Sequence, residues 1–155
     1  MIDDDSGAER EQREQRLQRA TELLGYSFRN PSLLLRALTH SSFLNENKSA
    51  GDEGRDNEVL ELLGDAVLSL CTMDGLVRAT PEADEGELTD RRASYVSEEA
   101  LAAKADTSGL TSLLRTGKSI VGKVPTSARA DLVEAILGDV KPDVSALAAS
   151  ASSDT

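Results

Sequence analysis

The segment at residues 57–70, NEVLELLGDAVLSL, combines an almost continuous apolar run with three regularly spaced acids. At about 100° per residue, Glu58, Glu61 and Asp65 fall within about 60° of one another on one helical face. The remaining faces are apolar, so this helix is expected to be surrounded by protein rather than to lie half in water. Burying an unpaired carboxylate costs on the order of several kcal/mol, so the acids require a compensating cation, hydrogen-bond donors or an opening to solvent.

A second acidic pair lies in ARADLVEAILG, where Asp131 and Glu134 are three residues apart and therefore share a helical face. If the two helices cross with their acidic faces opposed, the carboxylates converge and cannot all ionise without a counter-charge. Oxygen ligands favour Mg²⁺ or Mn²⁺, and paired Mg²⁺ ions suit phosphodiester hydrolysis. On spacing alone, solvated or salt-bridged helix faces remain the alternative explanation.

The composition limits the class of protein. A chain of 155 residues with 39% hydrophobic residues is expected to form one domain with a core. The net charge of −11 argues against broad attraction to nucleic acid but allows a local basic face. No run approaches the ~18 apolar residues of a membrane span, and the charged N-terminus does not resemble a signal peptide. We therefore expect a cytoplasmic protein that does not enter a membrane.

The only cysteine and the only histidine exclude several kinds of site. Cys71 alone cannot form an intrachain disulfide or a Cys-rich zinc site, and we expect it to pack against the core. His40 alone cannot supply a two-His metal motif. Because the chain has no G-x-S-x-G motif, a structural role for His40 is favoured over a Ser-His-Asp arrangement.

Helical periodicity and capping signals predict an all-α domain over residues 17–140, since no segment alternates with strand period. The expected helices are residues 17–24, 31–39, 57–77, 87–105 (as one or two helices) and 128–137. The last helix is expected to end at Gly138. Residues 40–56 are expected to form a loop, residues 1–16 a polar leader, and residues 141–155 a disordered tail.

The acidic motifs resemble those of the ribonuclease III family. NEVLELLGDAVL is similar to the family signature NERLEFLGDAVL, and ARADLVEAILG is similar to its second acidic motif. Residues 24–47 resemble the segment that ends in ALTHxS, and residues 84–102 resemble the D-E-G-x-L-x-x-x-R-A-x-x-V segment. These four motifs occur in the family's order over residues 23–138.

The resemblance implies a ribonuclease III endonuclease-like helical domain that cleaves double-stranded RNA as a homodimer with Mg²⁺, or Mn²⁺ in its place. Processing of rRNA and mRNA is the implied role. The residues that match the family's metal-binding acids are Glu61, Asp65, Asp131 and Glu134. Glu58, Asp65 and Glu134 are the implied catalytic acids, and Asn57 opens the signature. The candidate phosphate contacts are Arg92, Lys118, Lys123 and Arg129, for each of which an ordinary solvated charge is the alternative.

The sequence departs from the family pattern in several places, one of which is Arg129, where an apolar residue is common. Leu62 replaces the signature's usual aromatic residue, which in the family packs across the dimer interface, so a weaker dimer is expected. Residues 139–142, DVKP, are expected to shorten the final helix. The sequence does not include the double-stranded-RNA-binding domain that commonly follows, so RNA affinity is expected to come from the nuclease domain, a partner or a second subunit. The five acids favour the enzyme, whereas the shortened C-terminus favours the alternative function, a catalytically silent scaffold in RNA or ribosome assembly.

Overall fold

The computed structural model describes residues 4–47 and 54–140, which form an all-α fold. The helices are α1 Asp4–Leu24, α2 Pro31–Ala37, α3 Ser41–Glu46, α4 Glu58–Ala79, α5 Glu85–Tyr95, α6 Glu98–Thr107, the 3₁₀ helix Leu110–Leu113 and α7 Thr126–Val140. Extended pairing in the described residues is limited to an isolated parallel bridge between Thr39 and Arg115. None of the helices in these two ranges has the length and apolar character that a membrane span requires.

Helix α1 ends, and helix α2 begins, at the residues that the capping signals in the sequence indicate. Gly25 follows α1 with φ = 60°, the left-handed conformation that suits a glycine. The side chain of Asn30 accepts hydrogen bonds from the N–H groups of Ser32 and Leu33, and Pro31 is the first residue of α2. Because α1 begins at Asp4, the polar leader and the apolar pattern from Leu17 lie on one helix, without a break at residue 16.

The loop prediction for residues 40–56 is wrong at its start, where α3 forms. His40 caps this helix through Nδ1, which accepts a hydrogen bond from the Ser42 N–H at 3.2 Å. This contact gives His40 the structural role that was expected for it. A single histidine cap carries no periodic signal, which explains why so short a helix was missed. Residues 48–53 and the predicted disordered tail lie outside the described residues.

The start of α4 is held against α2 by Asn57. The Asn57 side chain is only 2% exposed. Its amide donates to the Ala37 carbonyl at 3.4 Å, and its backbone N–H donates to the Thr39 carbonyl at 3.0 Å. The side-chain cap comes instead from Asp56, which accepts a hydrogen bond from the Glu58 N–H at 3.2 Å. The beginning of the acidic helix is therefore fixed relative to the core.

The core lies where α4, α6 and α7 meet α2 and the 3₁₀ helix. Leu34, Leu38 and Leu132 are among its fully buried side chains. Gly138 does not end α7, which continues through Asp139 to Val140. A Cβ atom at Gly138 would overlap the Leu60 carbonyl group, so this glycine serves a close helix contact instead of a helix end. The predicted interruption is therefore wrong at residues 139 and 140.

One side of α4 is apolar and exposed within this single chain. Leu62 is 73% exposed, Val59 63% and Leu70 58%. Cys71 is also exposed, so the prediction that it packs against the core is wrong within the chain. The continuous apolar run predicted a helix enclosed by protein, but this domain covers only part of it. The rest of α4 offers an apolar surface to a partner.

Candidate metal centre

The crossing of α4 and α7 is set by two glycines that bring the helix backbones into contact. A Cβ atom at Gly64 would overlap the backbone carbonyl of Glu134, and one at Gly138 would overlap that of Leu60. Leu60 precedes Glu61, and Glu134 is itself one of the acids. The glycines therefore bring together the two helical turns that carry the acidic side chains.

Three of the predicted metal ligands converge at this crossing. Glu61 from α4 and Asp131 and Glu134 from α7 each offer a carboxylate oxygen, and these oxygens all lie within 4.8 Å of one another. All three side chains are partly buried. We call these residues the carboxylate cluster. Asp65 and Glu58 are exposed on α4 and are not part of this close group, although both were predicted as site acids.

The electrostatics of the carboxylate cluster disfavour full ionisation. Burial, followed by the charges of Asp65, Asp131 and Glu61, raises the pKa of Glu134 to about 7. Burial and the neighbouring acids, Asp131 and Glu58 first, also raise the pKa of Glu61. Burial raises the pKa of Asp131 as well, against an opposing effect of the His40 charge. Asp65 and Glu58 therefore belong to the same electrostatic site even though they lie outside the close group.

Within residues 4–47 and 54–140, no lysine or arginine forms an ion pair with Glu61, Asp131 or Glu134, and the one favourable protein charge is that of His40 acting on Asp131. Ion pairs elsewhere in these ranges include Arg19 with Glu22, Arg78 with Asp74, Arg91 with Glu87 and Arg129 with Asp106. Several anionic oxygens at this separation form the donor set that a hard divalent cation such as Mg²⁺ or Mn²⁺ prefers. The residues present therefore fit a metal ion.

Arg129, predicted as a phosphate contact, is instead a structural residue. Only 6% of it is exposed, and its guanidinium forms an ion pair with Asp106. Its Nε donates to the Val124 carbonyl and its Nη2 to Thr126 Oγ1, both at 3.1 Å. These bonds fix the start of α7. Its partner Asp106 lies 23 residues away in the sequence, so the ion pair has no local sequence signal.

The other candidate RNA contacts remain accessible. Arg92 is half-buried and donates from Nη1 to Ser69 Oγ at 3.2 Å. Because Ser69 is four residues beyond Asp65, this contact lies one turn further along the acidic side of α4. Lys118 and Lys123 are exposed in the segment that leads to α7.

Glu46 anchors the segment that carries Lys118, a role that the sequence did not reveal. Its carboxylate accepts the backbone N–H groups of Lys118 at 2.6 Å and Ser119 at 2.8 Å. The hydrogen bonds from Ser119 and then Lys118 lower the pKa of Glu46. A Cβ atom at Gly117 would overlap the backbone carbonyl oxygen of Ser42 as well as the Glu46 carboxylate, so the close approach requires glycine there.

Comparison with known proteins identifies the family. The sequence model of the ribonuclease-III-like family matches residues 30–153. The Ribonuclease 3 of Pelotomaculum thermopropionicum is 48% identical over 123 residues, which cover 77% of this chain and 50% of that protein. The Ribonuclease 3 of Symbiobacterium thermophilum is 42% identical over 119 residues, which cover 76% of this chain and 49% of that protein. The chain spans about half the length of these curated relatives.

Solved structures give the same result at the level of the fold. A nuclease domain of the Campylobacter jejuni ribonuclease III, described for structural flexibility in a region involved in dimer formation, superposes with a TM-score of 0.71 at 32% identity. The match covers 80% of this chain and 83% of that one. A second crystal structure of that domain gives a TM-score of 0.69. With these matches and the carboxylate cluster at the α4–α7 crossing, the chain belongs to the ribonuclease-III-like family.

Proposed function

We propose that this chain is a nuclease domain that hydrolyses phosphodiester bonds of double-stranded RNA as a Mg²⁺-dependent homodimer. The observation that carries the proposal is the carboxylate cluster of Glu61, Asp131 and Glu134, with its oxygens within 4.8 Å of one another. Mn²⁺ is expected to replace Mg²⁺ because the donor set consists of carboxylate oxygens. By family resemblance, rRNA and mRNA precursors in the cytoplasm are the proposed substrates.

The acids of the carboxylate cluster and the two exposed acids beside it have different proposed roles. A divalent ion supplies Lewis-acid stabilisation of phosphate charge and activation of water when it is bound. Glu61, Asp131 and Glu134 would hold the ion, and the pKa of Glu134, raised to about 7, would make its binding depend on pH near neutrality. Asp65 and Glu58 are exposed beside the cluster, and their charges act on Glu134 and Glu61 respectively. Asp65 is proposed as a further metal ligand.

RNA binding is proposed to depend on Arg92, Lys118 and Lys123. Arg129 is no longer a candidate, because its guanidinium is buried and paired with Asp106. With a net charge of −11, the domain has few cations to release counterions from RNA, so binding should be weak and should fall with salt.

The dimer is proposed to form on the exposed apolar side of α4. Val59, Leu62 and Leu70 are each more than half exposed on this helix. Burying such a surface against its own copy is the usual arrangement of a two-fold dimer. Leu62 offers less contact area than the aromatic residue of the family signature, so the proposed dimer is weaker than an aromatic residue would make it.

A cleavage assay tests the enzyme against the scaffold. A long RNA duplex is incubated with wild type, Glu134→Gln and the control Glu82→Gln, in Mg²⁺ or in EDTA. Glu82 is an exposed acid outside the carboxylate cluster. Wild type and the control should cleave with Mg²⁺ and leave 5′-phosphate ends, whereas Glu134→Gln should lose orders of magnitude of activity. An inactive wild type that also shows no thermal response to Mg²⁺ would favour the scaffold.

A further inference from the structure

A cleft of about 380 Å³ lies between α1, α2 and the segments that flank them, and four arginines line it. They are Arg13, Arg36, Arg55 and Arg115. The lining includes no Asp or Glu among the described residues. In a chain with 17 Lys and Arg against 28 Asp and Glu, this concentration of arginine is unusual. None of the four belongs to the carboxylate cluster, so the cleft is a separate feature.

Two of these guanidinium groups are held by contacts with the fold. Arg115 stacks on Phe43, with its guanidinium carbon 4.1 Å from the ring centroid, and donates to Thr39 Oγ1 at 3.2 Å. Arg36 donates from Nε to the Asp56 carbonyl at 2.8 Å. An arginine carries five N–H donors, so the terminal nitrogens of Arg36 remain available for a ligand. Such fixed groups lose little freedom on binding.

The charge of Arg115, which lines the cleft, also acts on an arginine beside it. Burial and the charge of Arg115 lower the pKa of the adjacent Arg16, which donates to the Leu113 carbonyl at 2.5 Å. Burial lowers the pKa of Arg115, and the charge of Glu9 on α1 acts in the opposite direction. An anion in the cleft would be attracted by the guanidinium groups that line it.

We propose that this arginine cleft binds a phosphate group, carried either by a small phosphorylated molecule or by the RNA backbone. Guanidinium groups match phosphate oxygens with paired hydrogen bonds, which makes arginine the preferred residue for this ligand. The volume is within the range of small-molecule sites, and Leu17, Pro31 and Leu33 give it an apolar wall. A ligand of mononucleotide size or smaller fits this mixed lining.

The test compares two double variants in EDTA at constant ionic strength. Arg13→Gln/Arg55→Gln removes two cleft cations. Arg19→Gln/Arg78→Gln removes two exposed cations that form helix ion pairs elsewhere. Inorganic phosphate, with chloride as reference, should raise the melting temperature of wild type and of the second variant. It should bind about tenfold more weakly to the first variant, since hydrogen bonds between charged groups are lost. Circular dichroism checks that each variant is folded. The single variant Arg55→Gln removes one cleft cation at an exposed position, where a folding defect is not expected.

Binding of a labelled RNA duplex in the same buffer distinguishes the two sources. If the cleft variant loses RNA affinity beyond the control variant, RNA supplies the phosphate. If RNA affinity is equal in both while the phosphate response differs, the ligand is a small phosphorylated molecule. Equal phosphate and equal RNA responses in both variants would overturn the proposal. No divalent metal or cleavage step is involved, so failure here and failure of the nuclease proposal are separable.

Discussion

Gly64 lies in backbone contact with Glu134: a Cβ atom at residue 64 would overlap the Glu134 carbonyl oxygen and lie 3.0 Å from its Cα. One residue of α7 thus supplies both a carboxylate of the cluster and the helix contact that positions it. The geometry of the site depends on the packing of two long helices instead of on a loop. Such a site is held more rigidly than one built on loops.

Gly64→Ala is predicted to destabilise the fold and weaken metal binding together. The added methyl group has backbone as its neighbour, so α4 and α7 must separate. Overpacking of this kind costs about 1–3 kcal/mol and sometimes more. Urea unfolding with and without Mg²⁺ measures both effects.

Gly75→Ala is the matched control on the same helix, because a Cβ atom there has no neighbour within 4 Å. Replacing an interior helix glycine with alanine should stabilise by about 0.5–1 kcal/mol. If both variants unfold alike and bind Mg²⁺ alike, the glycine contact does not determine the site.

Glu134→Gln and Asp131→Asn are predicted to raise stability in EDTA and to abolish the stabilisation by Mg²⁺. Each change removes one charge from a repelling cluster while it preserves side-chain size. Wild type should gain melting temperature with Mg²⁺ through ligand linkage. The control Glu82→Gln should respond as wild type does, and a full Mg²⁺ response in Glu134→Gln would contradict this assignment.

Without metal, stability is predicted to fall as the pH rises from 5 to 8. The folded pKa of Glu134 is raised to about 7, so in this window the folded chain keeps a proton that the unfolded chain has lost. The raised pKa values of Glu61 and Asp131 act in the same direction. Glu46 and Asp106 have lowered pKa values and titrate below this window.

Urea midpoints at pH 5, 6, 7 and 8 in EDTA measure this pH dependence. The urea midpoint of Glu134→Gln should depend less on pH than that of wild type. Mg²⁺ should remove most of the fall in the wild-type midpoint between pH 5 and 8. A wild-type midpoint that stays constant or rises over this range would show that the cluster is already neutralised.

Leu62→Gln is predicted to dissociate the dimer, and Leu62→Phe to strengthen it. Leu62 is 73% exposed in the single chain, so a polar replacement should cost little in folding but remove apolar contact area between copies. Sedimentation at micromolar concentration measures the oligomeric state of each variant. Val121→Gln, at an exposed loop position, is the control. Wild type that sediments only as a monomer while it still cleaves RNA would refute the dimer.

Glu46→Gln is predicted to weaken RNA binding about as much as Lys118→Gln does. Loss of the carboxylate charge loosens the hydrogen bonds that hold the backbone of Lys118 and Ser119. The Mg²⁺ response should not change, since Glu46 is outside the carboxylate cluster. RNA affinity is measured in Ca²⁺ and the melting temperature in Mg²⁺, which separates an effect on RNA binding from an effect on metal binding. An unchanged affinity in Glu46→Gln and a reduced one in Lys118→Gln would show that the anchor is dispensable.

The sequence predicted the acidic faces because residues three or four apart lie together on any helix. This local rule identified Glu61, Asp131 and Glu134, and it also selected Asp65, which lies outside the close group. Proximity across two helices depends on their crossing point, which is set by the contact between Gly64 and the backbone of Glu134. That contact has no signal within either helix.

The predictions for Arg129 and Gly138 failed for the same reason, a partner distant in the sequence. Arg129 looked like a surface cation because its partner Asp106 belongs to another helix. Gly138 looked like a helix terminator because glycine commonly follows helices, whereas here it meets Leu60 of α4. Cys71 lies on an apolar helix but is not covered by residues 4–47 or 54–140.

The most direct test of the central claim is anomalous diffraction from crystals of the domain grown with Mn²⁺. The account predicts a metal peak coordinated by Glu61, Asp131 and Glu134 at the crossing of α4 and α7, and loss of that peak in Glu134→Gln. Peaks confined to other sites, or a cluster that stays free of metal at saturating Mn²⁺, would contradict it.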